Sequence, residues 1–62
     1  MERSLQLYLT LLTAVEGRDE EGLRQVLRAV ATELEEPEQH RVMIQLKENL
    51  DTQGRALLER MR

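Results

Sequence analysis

The chain has 62 residues, of which 40% are hydrophobic and 34% are charged, and its formal net charge is −3. A chain of this length forms one domain, residues 1–62, and buries only about 60% of the surface that its unfolded form exposes. The absence of cysteine excludes disulfides and thiolate metal sites, and one histidine leaves too few ligands for a typical zinc site. We therefore expect no cofactor, and we expect a second protein chain to supply part of the stability.

The first predicted helix covers residues 3–16 and is apolar over more than half of its circumference. At about 100° per residue, its apolar side chains divide into two adjacent faces: Leu5, Tyr8, Leu9, Leu12 and Val15 on one, and Leu7, Leu11 and Ala14 on the other. A helix that is apolar most of the way round must be covered on more than one side. Part of it is therefore expected to contact another molecule. The alternative is that it lies in a groove between the two following helices and is fully covered there.

The second predicted helix covers residues 19–35 and follows a short corner. Gly17 stands where a helix commonly ends in a left-handed residue. Asp19 is suited to the N-cap, and Glu20 and Glu21 would face the positive end of the helix dipole. The apolar residues of this helix recur three or four apart in one narrow stripe: Leu23, Val26, Leu27, Val30 and Leu34.

The segment ELEEPEQHRV, residues 33–42, predicts the second corner, because Pro37 disfavours helical geometry at Glu36 and suits the first turn of a new helix. It contains the only histidine and four glutamates, but an exposed corner lacks the burial that shifts a catalytic pKa. No nucleophile–base pair, phosphate-binding loop or metal-ligand spacing occurs in the chain. We therefore expect a structural corner and no enzymatic activity.

The third predicted helix covers residues 37–61. Its apolar stripe consists of Val42, Met43, Leu46, Leu50, Leu57 and Met61. The stripe has a gap at Gln53 and Gly54, and a glycine inside a helix costs about 1 kcal/mol relative to alanine. We favour a continuous helix that crosses another backbone closely at Gly54. The alternative is a break, with Asp51 or Thr52 capping a separate last helix.

These elements predict an all-α fold: an antiparallel helical hairpin with a short N-terminal helix. Short connections make consecutive helices antiparallel neighbours. We expect this three-helix arrangement to be dimeric or bound to a partner, with coiled-coil-like contacts. No segment reaches the roughly 20 apolar residues that a membrane span requires, and the first apolar segment is too interrupted for a signal peptide. We therefore expect a cytoplasmic location.

The run LTLLTAVEGRDEEGLRQVLRAVATELEE, followed by PEQH and a longer helix that ends in QGRALLERMR, resembles the small all-helical chaperones of type III secretion and flagellar export. Its GLRQVLRA segment is similar to the needle co-chaperone branch of that group. The resemblance implies a non-enzymatic, cytoplasmic protein that holds an export substrate or another chaperone through helix–helix contacts. The chain is shorter than most flagellar members of the group.

A second resemblance is to the small helical hairpin that modulates plasmid copy number by binding paired RNA as a dimer. It implies a nucleic-acid regulator with exposed arginines on one side: Arg24, Arg28, Arg55 and Arg60. The negative net charge and the single aromatic residue, Tyr8, argue against nucleic-acid binding.

The function that we favour is a protein–protein interaction module. A partner helix would lie in an apolar groove and be held by anchors at three- and four-residue spacing. The partner would be a second copy of the chain or a helical segment of another protein. The predicted contact residues are Leu5, Leu7, Tyr8, Leu11 and Leu12, with Met43 and Met61 as adaptable packing at the margins.

Overall fold

The computed structural model describes residues 2–61 and contains four α-helices. They are α1 (Arg3–Glu16), α2 (Glu20–Glu33), α3 (Glu36–Asn49) and α4 (Thr52–Arg60). Within that range there is no strand, so the all-α class is confirmed. The three-helix arrangement is wrong, because the predicted third helix is divided into α3 and α4. None of these helices combines the length and apolar run that crossing a membrane requires.

The corner between α1 and α2 confirms one predicted cap and corrects another. The Asp19 carboxylate accepts a hydrogen bond from the Gly22 backbone N–H at 3.0 Å, as expected of an N-cap. Gly17, however, has a φ of −85°, and the left-handed residue is Arg18, with a φ of 57°. An arginine tolerates this conformation at some cost, and its guanidinium donates to the Gln53 side chain of α4 at 2.9 Å.

The corner between α2 and α3 lies where Pro37 predicts it. Leu34 and Glu35 are extended, and Pro37 occupies the first turn of α3. The Gln39 side chain then donates hydrogen bonds to the Leu34 carbonyl at 2.8 Å and the Ala31 carbonyl at 3.3 Å. These bonds satisfy carbonyl groups at the C-terminal end of α2 that have no partner within the helix.

The predicted third helix is broken at Leu50 and Asp51, which contradicts the favoured continuous helix. The Asp51 carboxylate accepts from the Gly54 N–H at 2.7 Å and caps α4. Gly54 is nevertheless tightly packed, because a Cβ built there would lie 3.2 Å from the Val15 Cγ1 atom. The three atoms nearest to that position all belong to side chains, so the structure contains the break and a close side-chain contact in place of the expected backbone crossing.

The first three helices form a bundle, and α4 lies across one end of it. Arg3 at the start of α1 pairs with Glu33 at the end of α2, so these helices are antiparallel. Early residues of α1 share a cleft with early residues of α3, so α1 and α3 are parallel. Helix α4 reaches the α1–α2 corner, where Arg60 pairs with Glu20 at 3.0 Å.

Helix α1 contacts each of the other three helices and lies at the centre of the core. Its buried residues are Leu7, Tyr8, Leu11, Ala14 and Val15. The remaining helices and connections contribute Leu23, Val30, Leu34, Val42, Leu46, Leu50, Leu57 and Leu58 to the same cluster.

Candidate protein-binding surface

Three of the predicted contact residues lie inside the core. Leu7 is 4% exposed, Tyr8 is 9% exposed and Leu11 is fully buried. Leu7 and Leu11 are not available to a partner, whereas Tyr8 keeps a small exposed part that lines the cleft described below. The prediction assumed that only two helices cover α1, whereas α4 is a third neighbour through the contact between Gly54 and Val15. Leu7 and Leu11 are therefore removed from the predicted binding surface.

The apolar surface that remains on α1 is smaller and lies elsewhere. Leu5 is 44% exposed, Leu9 is 46% exposed, and Leu12 is partly buried against the core. Because these residues are four and three positions apart, they share one face of the helix. We call Leu5, Leu9 and Leu12 the α1 leucine stripe. Single exposed leucines are ordinary, but three on one face provide the anchor spacing that a helical partner requires.

A cleft between α1 and α3 borders the N-terminal end of the α1 leucine stripe. Its volume is about 190 Å³. Leu5, Tyr8 and Val42 supply its apolar atoms, and Arg41 and Gln45 of α3 supply donors. Its other lining residues are Glu2, Ser4 and Glu38. The stripe is therefore flanked by polar groups of both charges, the arrangement of an interface with an apolar centre and a polar rim.

The two predicted methionines do not join this stripe. Met43 is partly buried and lies beside the 45%-exposed Ile44 in an open groove of about 830 Å³ along α3. Met61 is partly buried at the end of α4. Of the predicted contact residues, only Leu5 and Leu12 belong to the α1 leucine stripe, and Tyr8 lies beside Leu5 in the adjoining cleft.

Leu9 and Ile44 are exposed but were not among the contact residues predicted from the sequence. Leu9 stood on one of the two predicted faces of α1, but the core is centred between those faces and leaves Leu9 at its edge. Ile44 had a visible signal, since it falls outside the apolar stripe of α3. An apolar residue outside the stripe of an amphipathic helix is a candidate for surface exposure.

Charged side chains lie at the surface, and several arginines have acceptors within the chain. Arg24 pairs with Glu21 at 2.9 Å, and the Arg55 Nε donates to the Lys47 carbonyl at 3.0 Å. Arg60 is also paired, as described above. Three of the four arginines that a nucleic-acid regulator would present are therefore engaged within the chain.

The ion pair between Arg3 and Glu33 joins the start of α1 to the end of α2. The Arg3 Nε lies 2.6 Å from a Glu33 carboxylate oxygen. The hydrogen bond from Arg3 lowers the pKa of Glu33, and the same bond raises the pKa of Arg3. Both groups are exposed, so water screens this pair and its contribution is small.

Within residues 2–61, no group of three histidine, cysteine, aspartate or glutamate side chains is placed to hold a metal ion. The core of the described chain contains no polar or charged side chain. The large exposed hydrophobic side chains lie in two places, Leu5 and Leu9 in the α1 leucine stripe and Ile44 in the groove along α3.

No family model, curated protein or solved structure matches the chain. The similarity to export chaperones stays a prediction from the quoted residues.

Proposed function

We propose that the protein is a non-enzymatic interaction module that binds an amphipathic helix of a protein partner along the α1 leucine stripe. The observation that carries this proposal is the exposure of Leu5 and Leu9 beside Leu12 on the helix that otherwise forms the centre of the core. Apolar partner residues at three- and four-residue spacing would lie against these leucines. Arg41 and Gln45 would contact polar groups at the edge of the partner helix.

The free energy gained by burying Leu5 and Leu9 indicates how large the interface must be. Full burial of a leucine side chain contributes about 1.5–3 kcal/mol, and Leu5 and Leu9 are already about half covered. Together they would contribute about 2 kcal/mol. A stable interface buries about 800 Å² on each partner, so the partner must also occupy the cleft between α1 and α3.

The resemblance to export chaperones suggests the class of partner. In that case the bound helix belongs to an aggregation-prone export substrate or to another chaperone, and binding takes place in the cytoplasm. Covering the apolar side of such a helix would keep it from aggregating before export. A second copy of this chain is the alternative partner.

Glutamate substitutions in the stripe test the proposal. A protein captured from the native host by the wild-type chain is purified, and its affinity is measured for each variant by calorimetric titration. We expect Leu9→Glu to weaken binding at least about tenfold, since a buried charge costs well over the 1.4 kcal/mol that tenfold represents. Ile44→Glu is the matched control, because Ile44 is equally exposed but lies on another helix.

The difference in affinity between the Leu9→Glu and Ile44→Glu variants decides which surface binds the partner. Circular dichroism first confirms that both variants keep the helix content of the wild type, as expected for exposed positions. Equal affinity of the Leu9→Glu variant and the wild type would exclude the α1 leucine stripe as the binding surface. A loss confined to Ile44→Glu would assign binding to the groove on α3 instead.

A further inference from the structure

The connection between α3 and α4 differs from a continuous helix at only two residues. Leu50 has φ −96° and ψ 148°, and Asp51 has φ −79° and ψ −179°. Both φ angles are close to helical values, whereas both ψ angles are extended. Rotation about ψ at these two residues would therefore join α3 and α4 into one helix covering residues 36–60.

The apolar residues support this second arrangement. Val42, Leu46 and Leu50 are spaced by four, and Leu57 and Met61 continue the same face after the gap at Gly54. The spacing is the reason why the sequence predicts one helix here. A joined helix would therefore keep an apolar stripe available for packing, and the sequence is compatible with both the broken and the straight form.

Contacts of α4 with the rest of the chain do not depend on the direct connection. Leu58 is fully buried and Leu57 is 6% exposed, and Gly54 lies against Val15. At the surface, Lys47 pairs with Glu59 at 3.3 Å. An α4 helix from a second molecule would make each of these contacts equally well, because none requires the two helices to belong to one chain.

We propose that two copies of this protein exchange α4, so that α4 of each copy occupies the position against α1 and α3 of the other. Reciprocal exchange is a low-cost route to a dimer, since the same core contacts form in both states. At low concentration the closed monomer is favoured, because the Asp51 side chain caps α4 only where the helix begins at Thr52. At high concentration the exchanged dimer accumulates. The proposal is independent of the α1 leucine stripe.

The single lysine of the chain makes exchange directly measurable. Equal amounts of protein with light and heavy nitrogen isotopes are mixed and concentrated to the millimolar range. They are then treated with a carbodiimide that joins Lys47 to Glu59 without a spacer. In the closed monomer this cross-link is within one chain. In a straight helix these residues are about 18 Å apart, so a cross-link in the exchanged dimer must join two chains and includes light–heavy pairs.

Substitution of Thr52 separates the two forms. Thr52 is the first residue of α4, where proline is tolerated, and Asp51 already has the extended backbone that precedes a proline. In a straight helix the same proline would remove a hydrogen bond and clash with the preceding turn. We expect Thr52→Pro to abolish the dimer and keep the monomer folded. Thr52→Ala, the matched control, permits a continuous helix and should retain the dimer.

The results distinguish exchange from other association. Light–heavy Lys47–Glu59 cross-links in a dimer that Thr52→Pro removes would support the proposal. A dimer that yields only cross-links within one chain would overturn exchange and would leave association through Leu5 and Leu9 intact. A chain that remains monomeric at millimolar concentration in sedimentation equilibrium would also overturn the proposal.

Discussion

Helices α1 and α4 each bury a leucine completely, but they occupy different positions in the fold. Helix α1 contacts all three other helices, and its Leu11 has no exposed surface. Helix α4 has only nine residues and lies at one end of the bundle, although its Leu58 is equally enclosed. Complete burial of a leucine therefore does not by itself decide how much of the fold depends on it. The position of its helix among the other helices also contributes.

The largest expected effect on stability comes from replacing Leu11 or Leu58 by alanine. Leu11→Ala should lower the free energy of unfolding by about 2–5 kcal/mol, the range for large-to-small changes in a core. Leu58→Ala should lower it less, because α4 can separate from the bundle while α1, α2 and α3 stay packed. Urea denaturation followed by circular dichroism measures both losses. Hydrogen exchange shows whether the Leu58 variant loses protection in α4 alone.

Leu9→Ala is the control for both substitutions, because Leu9 is about half exposed on the outside of α1. It should change the free energy of unfolding by less than about 0.5 kcal/mol. Equal losses for Leu11→Ala and Leu58→Ala, with protection reduced throughout the chain, would show that α4 unfolds together with the bundle. The contrast between the two helices would then be incorrect.

A smaller effect is expected at the two aspartate caps. Asp19 caps α2 and Asp51 caps α4, and each accepts a hydrogen bond from a glycine N–H three residues later. Replacement of either aspartate by alanine should cost about 0.5–2 kcal/mol. We expect Asp19→Ala to reduce global stability, since α2 packs along the whole of α1. Asp51→Ala should mainly reduce the hydrogen-exchange protection of α4.

These two variants carry the same chemical change, so each is the control for the other. If Asp51→Ala lowered the urea midpoint as much as Asp19→Ala, α4 would be as strongly coupled to the core as α2 is. Hydrogen exchange that slows in α4 after loss of its cap would contradict the capping role of Asp51.

The smallest effect concerns the ion pair between Arg3 and Glu33. Because the pKa of Glu33 is lowered in the folded state, the pair stabilises the fold above the ordinary pKa of a glutamate. That contribution is lost as the pH falls through the lowered pKa. Arg3→Ala should therefore lower the melting temperature slightly at neutral pH and leave it unchanged in strong acid. Thermal melts of both proteins across this pH range measure the difference.

Arg60→Ala removes the ion pair between α4 and Glu20 and is the matched control for Arg3→Ala. Both partners of that ion pair are exposed, so Arg60→Ala should lower the melting temperature at neutral pH by a similarly small amount. A melting-temperature difference for Arg3→Ala that grows as the pH decreases would contradict the assigned role of Glu33.

Local sequence signals determined most of the helix boundaries. Asp19 begins α2 because its carboxylate accepts a backbone N–H within the same turn, and Pro37 sets the second corner because its ring fixes the backbone. Both effects act over a few residues and can be read without knowing the fold. The left-handed residue was predicted at Gly17 but is Arg18. Arg18 donates a hydrogen bond to Gln53 in α4, and this contact between residues 35 positions apart cannot be read from neighbouring residues.

The sequence by itself determined an all-helical chain with apolar stripes at helical spacing, because periodicity and capping are properties of neighbouring residues. Only the tertiary structure decided whether α3 continues into α4, since the joined and broken forms satisfy the same spacing. It also decided which leucines of α1 remain exposed. The core is centred wherever the surrounding helices make contact, and in this fold that centre includes Leu7 and Leu11 and leaves Leu5 and Leu9 exposed.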